Sequence, residues 1–304
     1  MIQIDRHLTK SDSRNKAMPS LQVLNSTMFY RDSGTGTPFV FLHGNPTSSY
    51  VWRNVIPHVG SPARSLAPDL IGMGQSGKPD IAYRFSDHAE YLDAWFEKLA
   101  LDQVILIGHD WGGALAMDWA TRRPGRVRGI VLMETILRPM TWNDFPGLHR
   151  LRYETIRAAG MGEAKVLDEN FFIEQALTVT IQSGLSAEVH DIYRQPYPTR
   201  ESRRPLLAWP REMPIEGEPI DTVRRIEAYD AWLANSPETP KLLLTFDDPD
   251  GTLMIGPEMS RWAQENISSL EVRACGPAAH ICPEDQPEII GKAIAAWADR
   301  HKPR

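Results

Sequence analysis

The chain has 304 residues, 42% of them hydrophobic and 24% charged, with 33 Lys and Arg against 39 Asp and Glu, a net charge of −6. This balance supports a packed core rather than disorder, and the absence of any basic run argues against a nucleic-acid partner. No apolar run approaches the ~18 residues that a membrane span needs, the polar start from Met1 to Ser20 lacks a secretory signal, and Cys275 and Cys282 are the only cysteines. A cytoplasmic enzyme or small-molecule binder is therefore expected, with no membrane association, no disulfide framework and no cysteine-rich zinc site.

In chain order, Leu21–Arg31 reads as an antiparallel hairpin ended by Ser33-Gly34-Thr35-Gly36. Apolar runs rich in Val, Ile and Leu follow at Pro38–Leu42, Gln103–Ile107, Val127–Met133 and Lys241–Phe246, with weaker ones at Arg64–Leu70 and Leu270–Ala274. Continuous rather than alternating apolar character fits parallel strands covered on both faces. Helical patterns at Asp87–Leu101 and at Gly112–Arg123, the second stopped by Pro124, complete a strand–helix alternation. An open, mostly parallel α/β sheet is expected. The alternation stops after Met133, and residues 136–214 carry aromatic-rich helical patterns with no convincing strand. This stretch is expected to form a helical cap over a core of residues 20–135 and 215–304. A last amphipathic helix, Pro287–Arg300, places Ile289, Ile290, Ala293, Ile294 and Trp297 on one face.

The stretch Gly108-His109-Asp110-Trp111-Gly112-Gly113 follows a predicted strand and opens a predicted helix. Glycines two residues either side of position 110 suit a sharp strand-to-helix turn that lifts side chain 110 at the carboxyl end of the sheet. This is a nucleophile elbow with Asp in place of Ser, and G-x-S-x-G occurs nowhere in the chain. A carboxylate, ionised at neutral pH, needs no base to attack saturated carbon and form an ester. A base is needed only to activate water against that ester. His280 is the candidate, in the small-residue loop after the last predicted strand, while His109 is read as structural. The acid that orients the histidine could be Asp247, Asp248 or Asp250 after the next-to-last strand, or Glu134 at the end of Val127–Met133. Physical reasoning leaves these two positions open.

His43-Gly44-Asn45-Pro46 follows the strand Pro38–Leu42 and can aim backbone N–H groups at the nucleophile. The amide of Asn45 and the indole N–H of Trp111 are neutral donors suited to a departing halide. Gly72-Met73-Gly74-Gln75-Ser76-Gly77 matches G-x-G-x-x-G, but Lys78-Pro79-Asp80 follows where a dinucleotide site needs a helix, so it is read as a loop. The two cysteines, flanking the His280 loop, are read as free thiols.

From about Phe29 to Asp299 the chain resembles the α/β-hydrolase fold and, within it, the haloalkane dehalogenases. The resemblance rests on His43–Val59, Ala67–Asp80, GHDWGG, METI, Arg203–Ile215 and Ala278–Pro287. It implies Asp110 as nucleophile, His280 as base and Glu134 as acid, so the open choice of acid falls to Glu134 by resemblance. It further implies Asn45 and Trp111 as halide donors and oxyanion hole, with Phe172, Pro210 and Ile281 in the pocket. The implied partners are a small halogenated alkane, water and halide, with no metal or organic cofactor. Ile281 stands where relatives often carry Phe, and the loop Asp247–Thr252 is unusually acidic, which touches substrate range rather than reaction class. Epoxide hydrolases share the Asp elbow but resemble HG-aromatic-P at the first loop and need two lid tyrosines, for which Tyr153, Tyr193 and Tyr197 are available. Fluoroacetate dehalogenases carry Arg in place of Trp111, and a coelenterazine-type luciferase is similar but has Ala in place of Pro46. A non-catalytic ligand receptor on this fold would be expected to have a defective triad.

Overall fold

The computed structural model describes residues 19–60, 63–145, 147–248 and 251–301. Eight strands form one sheet in the order β1-β2-β4-β3-β5-β6-β7-β8. The hairpin expected near the start is β1 (Ser20–Val23) and β2 (Ser26–Gly34), and β2 runs on to pair antiparallel with β4 (Ala63–Pro68). β3 (Thr37–Leu42), β5 (Val104–His109), β6 (Val127–Met133), β7 (Lys241–Asp247) and β8 (Leu270–Pro277) join β4 in parallel. Their carboxyl ends therefore share one edge, where open α/β sheets form ligand crevices.

Two strands outrun their apolar signal because pairing, not side-chain type, sets their length. β5 continues to His109 opposite Met133, and β8 continues along β7 until Pro277 stands opposite Asp247. Being at the sheet edge, β8 leaves several of its residues part-exposed, so its sequence is more polar than a central strand's.

Helix α1 (Phe85–Lys98) starts two residues earlier than expected, where the Asp87 carboxylate accepts the Arg84 N–H at 2.8 Å in a capping interaction. α2 (Trp111–Arg122) packs on β5, and its residues from Trp111 to Ala120 are all buried. The Gly72–Gly77 stretch forms turns around Asp69, whose carboxylate accepts N–H groups of Ser49 and Gln75 at 2.7 Å each; no helix opens on it.

Between β6 and β7 the described residues add no strand to the sheet. They form α3 (Gly147–Arg157), π-helical turns at Glu163–Asp168 and Phe172–Ala176, α4 (Leu177–Val179), α5 (Ala187–Arg194), α6 (Arg204–Glu212) and α7 (Ile220–Asn235). After β7 come α8 (Pro257–Asn266), α9 (Cys282–Asp285) and α10 (Pro287–Arg300). α10 buries Ile290, Ala293, Ile294 and Trp297 as its pattern predicts, while Ile289 is 41% exposed at the margin of that face. Trp297 lies on β6 against Gly129, where an added Cβ would come within 2.5 Å of the indole. Cys275 and Cys282 are buried free thiols. Among the described residues no helix is long and apolar enough to cross a membrane.

Candidate active site

Asp110 joins β5 to α2 with φ of 52°, in the left-handed region that costs a non-glycine residue energy. The surrounding sequence makes that turn possible. A Cβ on Gly108 would stand 2.4 Å from the Gly113 Cα, and one on Gly112 would stand 2.1 Å from the Leu42 carbonyl oxygen. Only glycine lets strand and helix meet so closely. The turn is further held by Thr135, whose hydroxyl donates to the Asp110 carbonyl at 2.6 Å, and by the Asp110 N–H, which donates to the Glu134 carbonyl at 3.1 Å.

The loop after β3 approaches the carboxylate from the other side. The Asn45 N–H donates to Asp110 Oδ1 at 2.7 Å. Gly44 is required there, since a Cβ would lie 2.0 Å from that same oxygen. The side-chain carbonyl of Asn45 is buried without a hydrogen-bond partner. Trp111 lines the cavity, with the Trp209 ring stacked behind it at 4.7 Å and His88 stacked behind Trp209 at 4.1 Å.

His280 lies between two carboxylates. Its Nδ1 is 3.1 Å from Glu134 Oε2 and its Nε2 is 3.5 Å from Asp110 Oδ2. Glu134 is 1% exposed, and its carboxylate also accepts the N–H groups of Met254 at 2.9 Å and Ile255 at 3.1 Å. The loop after β7 thus delivers backbone donors to Glu134. Of the alternative acids, Asp247 is exposed, Asp248 accepts from Thr252, and Asp250 lies outside the described residues. His109, buried beside the elbow, donates from Nε2 to the His280 carbonyl at 2.7 Å.

Burial pushes the Asp110 carboxyl up, but the hydrogen bond and charge of His280, with the Trp111 N–H, hold it below its ordinary value. Burial pushes His280 down, and the bonds and charges of Asp110 and Glu134 outweigh it, raising the imidazole to about 10. His109 is lowered to about 4, first by burial and then by the neighbouring His280.

The cavity brings together Asn45, Asp110, Trp111, Phe172, His280 and Ile281. Pro210, expected in its wall, is not there. It is buried inside α6, the helix that places Trp209 against the back of Trp111. Glu134 stands behind His280 and is not part of the wall. Three wall residues carried no motif, Phe145, Arg152 and Met254, while Tyr153 and Thr252 come from the lid tyrosines and the acidic loop. Ala176 and Thr180 were legible in principle, because with Phe172 they repeat at four-residue spacing on one helical face. Of the three lid tyrosines only Tyr153 reaches the cavity; Tyr193 donates to Glu284, and Tyr197 lies under the Lys78 ammonium. The paired tyrosines of an epoxide-opening site are not assembled there.

A family profile for the α/β-hydrolase fold matches residues 37–173. The haloalkane dehalogenase of Mesorhizobium japonicum is 46% identical over 280 residues, covering 91% of this chain and 89% of that one. That of Sphingobium indicum is 43% identical over 289 residues, covering 93% and 95%. The crystal structure of the haloalkane dehalogenase from Bradyrhizobium elkani superposes with a TM-score of 0.89 at 44% identity, covering 93% of this chain and 97% of that one.

Proposed function

The chain belongs to the haloalkane dehalogenases of the α/β-hydrolase fold, enzymes that hydrolyse carbon–halogen bonds, and on that premise we propose how its own residues divide the reaction. Asp110 is the nucleophile. Its Oδ1, held by the Asn45 N–H, becomes the ester carbonyl oxygen and leaves Oδ2 to attack carbon. The carbon–halogen pair departs with the halide, which has no use for a proton and is met by the neutral donors Asn45 and Trp111. His280 then takes a proton from water as that water attacks the ester carbonyl. The N–H groups of Asn45 and Trp111 hold the resulting oxyanion, and Glu134 holds the imidazolium. Collapse breaks the acyl–oxygen bond and returns Asp110, alcohol and a proton.

Residues 136–214 act as a cap that closes the cavity over a core of residues 20–135 and 215–304, with Phe172 and Ile281 in the wall of the substrate pocket. The order of steps follows from the charges around His280. While Asp110 is a carboxylate, two anions favour the protonated imidazole. Alkylation turns one of them into a neutral ester, so the proton affinity of His280 falls when a base is required.

The observation that carries this reading is the placement of His280 between Asp110 and Glu134, at 3.5 and 3.1 Å. His280→Phe tests it. One equivalent of bromide should be released from 1-bromobutane in a burst, after which turnover stops. Intact-mass measurement should show one butyl group, localised to the peptide containing Asp110. A folded His280→Phe protein without an adduct would show that His280 acts before the covalent step.

A further inference from the structure

The loop that carries His280 has almost no structure of its own, being bounded by the end of β8 and the four-residue helix α9. Its anchors lie elsewhere. Just before His280, the Ala279 N–H donates to Asp285 Oδ2 at 2.9 Å. The same carboxylate reaches across to the turn between α4 and α5, accepting the Gln182 N–H at 3.0 Å and the Ser183 N–H at 2.7 Å. Just after His280, the Ile281 N–H donates to the carbonyl of Thr180, a cavity-wall residue, at 2.9 Å. The next side chain of α9, Glu284, accepts Arg53 through both oxygens at 2.6 and 2.8 Å and takes the Tyr193 hydroxyl from α5. Asp110, by contrast, is held by β5, α2, Thr135 and the Asn45 loop.

We infer that Asp285 is a positioning residue for the second chemical step: its carboxylate ties the base loop to the 182–183 turn, so the seating of the cap sets the placement of His280. A half-buried carboxylate that accepts three backbone N–H groups is well satisfied, and removing it strands donors on both the loop and the turn. Alkylation depends far less on this tie, because the backbone of Asp110 and its Oδ1 are anchored by Glu134, Thr135 and Asn45 and only its Oδ2 faces the tied loop, through His280. The inference rests on His280 being the base for ester hydrolysis.

Rapid-quench measurements with 1-bromobutane test it in Asp285→Ala and Asp285→Asn. Asp285→Ala should release one equivalent of bromide in the burst at close to the wild-type rate, with kcat/KM changed by less than about twofold. The butyl ester should then decay on the order of 10- to 100-fold more slowly, the scale of a catalytic group displaced by about 1 Å. Asp285→Asn, which keeps one acceptor oxygen, should fall between Asp285→Ala and wild type. The burst amplitude counts correctly folded sites. Ester decay at the wild-type rate overturns the inference, as does a loss of burst amplitude, burst rate and decay in equal proportion in both variants. If His280→Phe forms no ester, the assignment of the base fails. If His280→Phe traps the ester and both Asp285 variants decay normally, only the inference fails.

Discussion

Asp110 and His280 meet at 3.5 Å, but they are held in place by opposite means. Asp110 sits at the junction of a buried strand and a buried helix, in a strained backbone conformation that Gly108, Gly112 and Gly44 make sterically possible. His280 sits on a loop whose position is set by hydrogen bonds to His109, Asp285 and Thr180. The geometry of Asp110, the proposed nucleophile, is thus local and bound to the core, whereas that of His280, the proposed base, is borrowed from distant elements. Chemistry that needs only Asp110 should therefore survive changes that disable chemistry needing His280, and not the reverse.

The largest effect should come from Asp110→Asn, which removes the charged nucleophile. Neither burst nor adduct should form, and halide release should fall to background. Sustained halide release without an adduct would show that water attacks the substrate directly. Glu134→Gln comes next. It should leave the burst in place and slow ester hydrolysis on the order of 10²–10⁴-fold, the range over which general acid–base groups act. Asp247→Asn, on an exposed side chain, should be near wild type. The opposite ranking in quench-flow would move the orienting acid to the loop after β7.

Asn45→Ala and Trp111→Leu work on the nucleophile side. Each should slow carbon–halogen cleavage on the order of 10²–10³-fold, as loss of a donor to developing charge does. Each should also weaken bromide binding, with Trp111 fluorescence reporting halide in the wild type and in Asn45→Ala. Unchanged bromide affinity in both variants would place the halide elsewhere. The smallest effect concerns His109, which bridges the two regions. Its folded-state value is about 4 against an ordinary 6.5, depressed by burial and by His280 and partly offset by Asp110. The unfolded chain therefore takes up this proton first. The contribution of neutral His109 is full above pH 6.5 and is lost as pH falls from about 6.5 toward about 4. Thermal melts of His109→Gln should show a shallower acid-side decline than wild type, by about one proton in the slope of stability against pH. Parallel declines would mean that His109 is not held neutral.

Much of this architecture could be read from residue order because its causes are local. Val- and Ile-rich runs covered on both faces can form little else than central parallel strands. Glycines at positions 108 and 112 announce a turn that no larger residue permits, and a charged side chain between them has few reasons to be there. For the same reason the elbow, the Asn45 loop and the histidine loop were each legible as separate pieces. What residue order could not decide was how those pieces meet. Asp247 and Glu134 end neighbouring strands β7 and β6 and are equivalent on local grounds. The proposal of Glu134 rests on its contact with His280 and on the chain after β7 folding back so that Met254 and Ile255 donate to it, 120 and 121 residues away. Ile289 was misplaced because a helical pattern gives a face but not what the face meets. Asp285 lies inside the Ala278–Pro287 stretch, but nothing in that stretch says what its carboxylate meets. Its significance exists only when Ala279, Gln182 and Ser183 converge on one carboxylate, and convergence across about a hundred residues is a property of the packed fold.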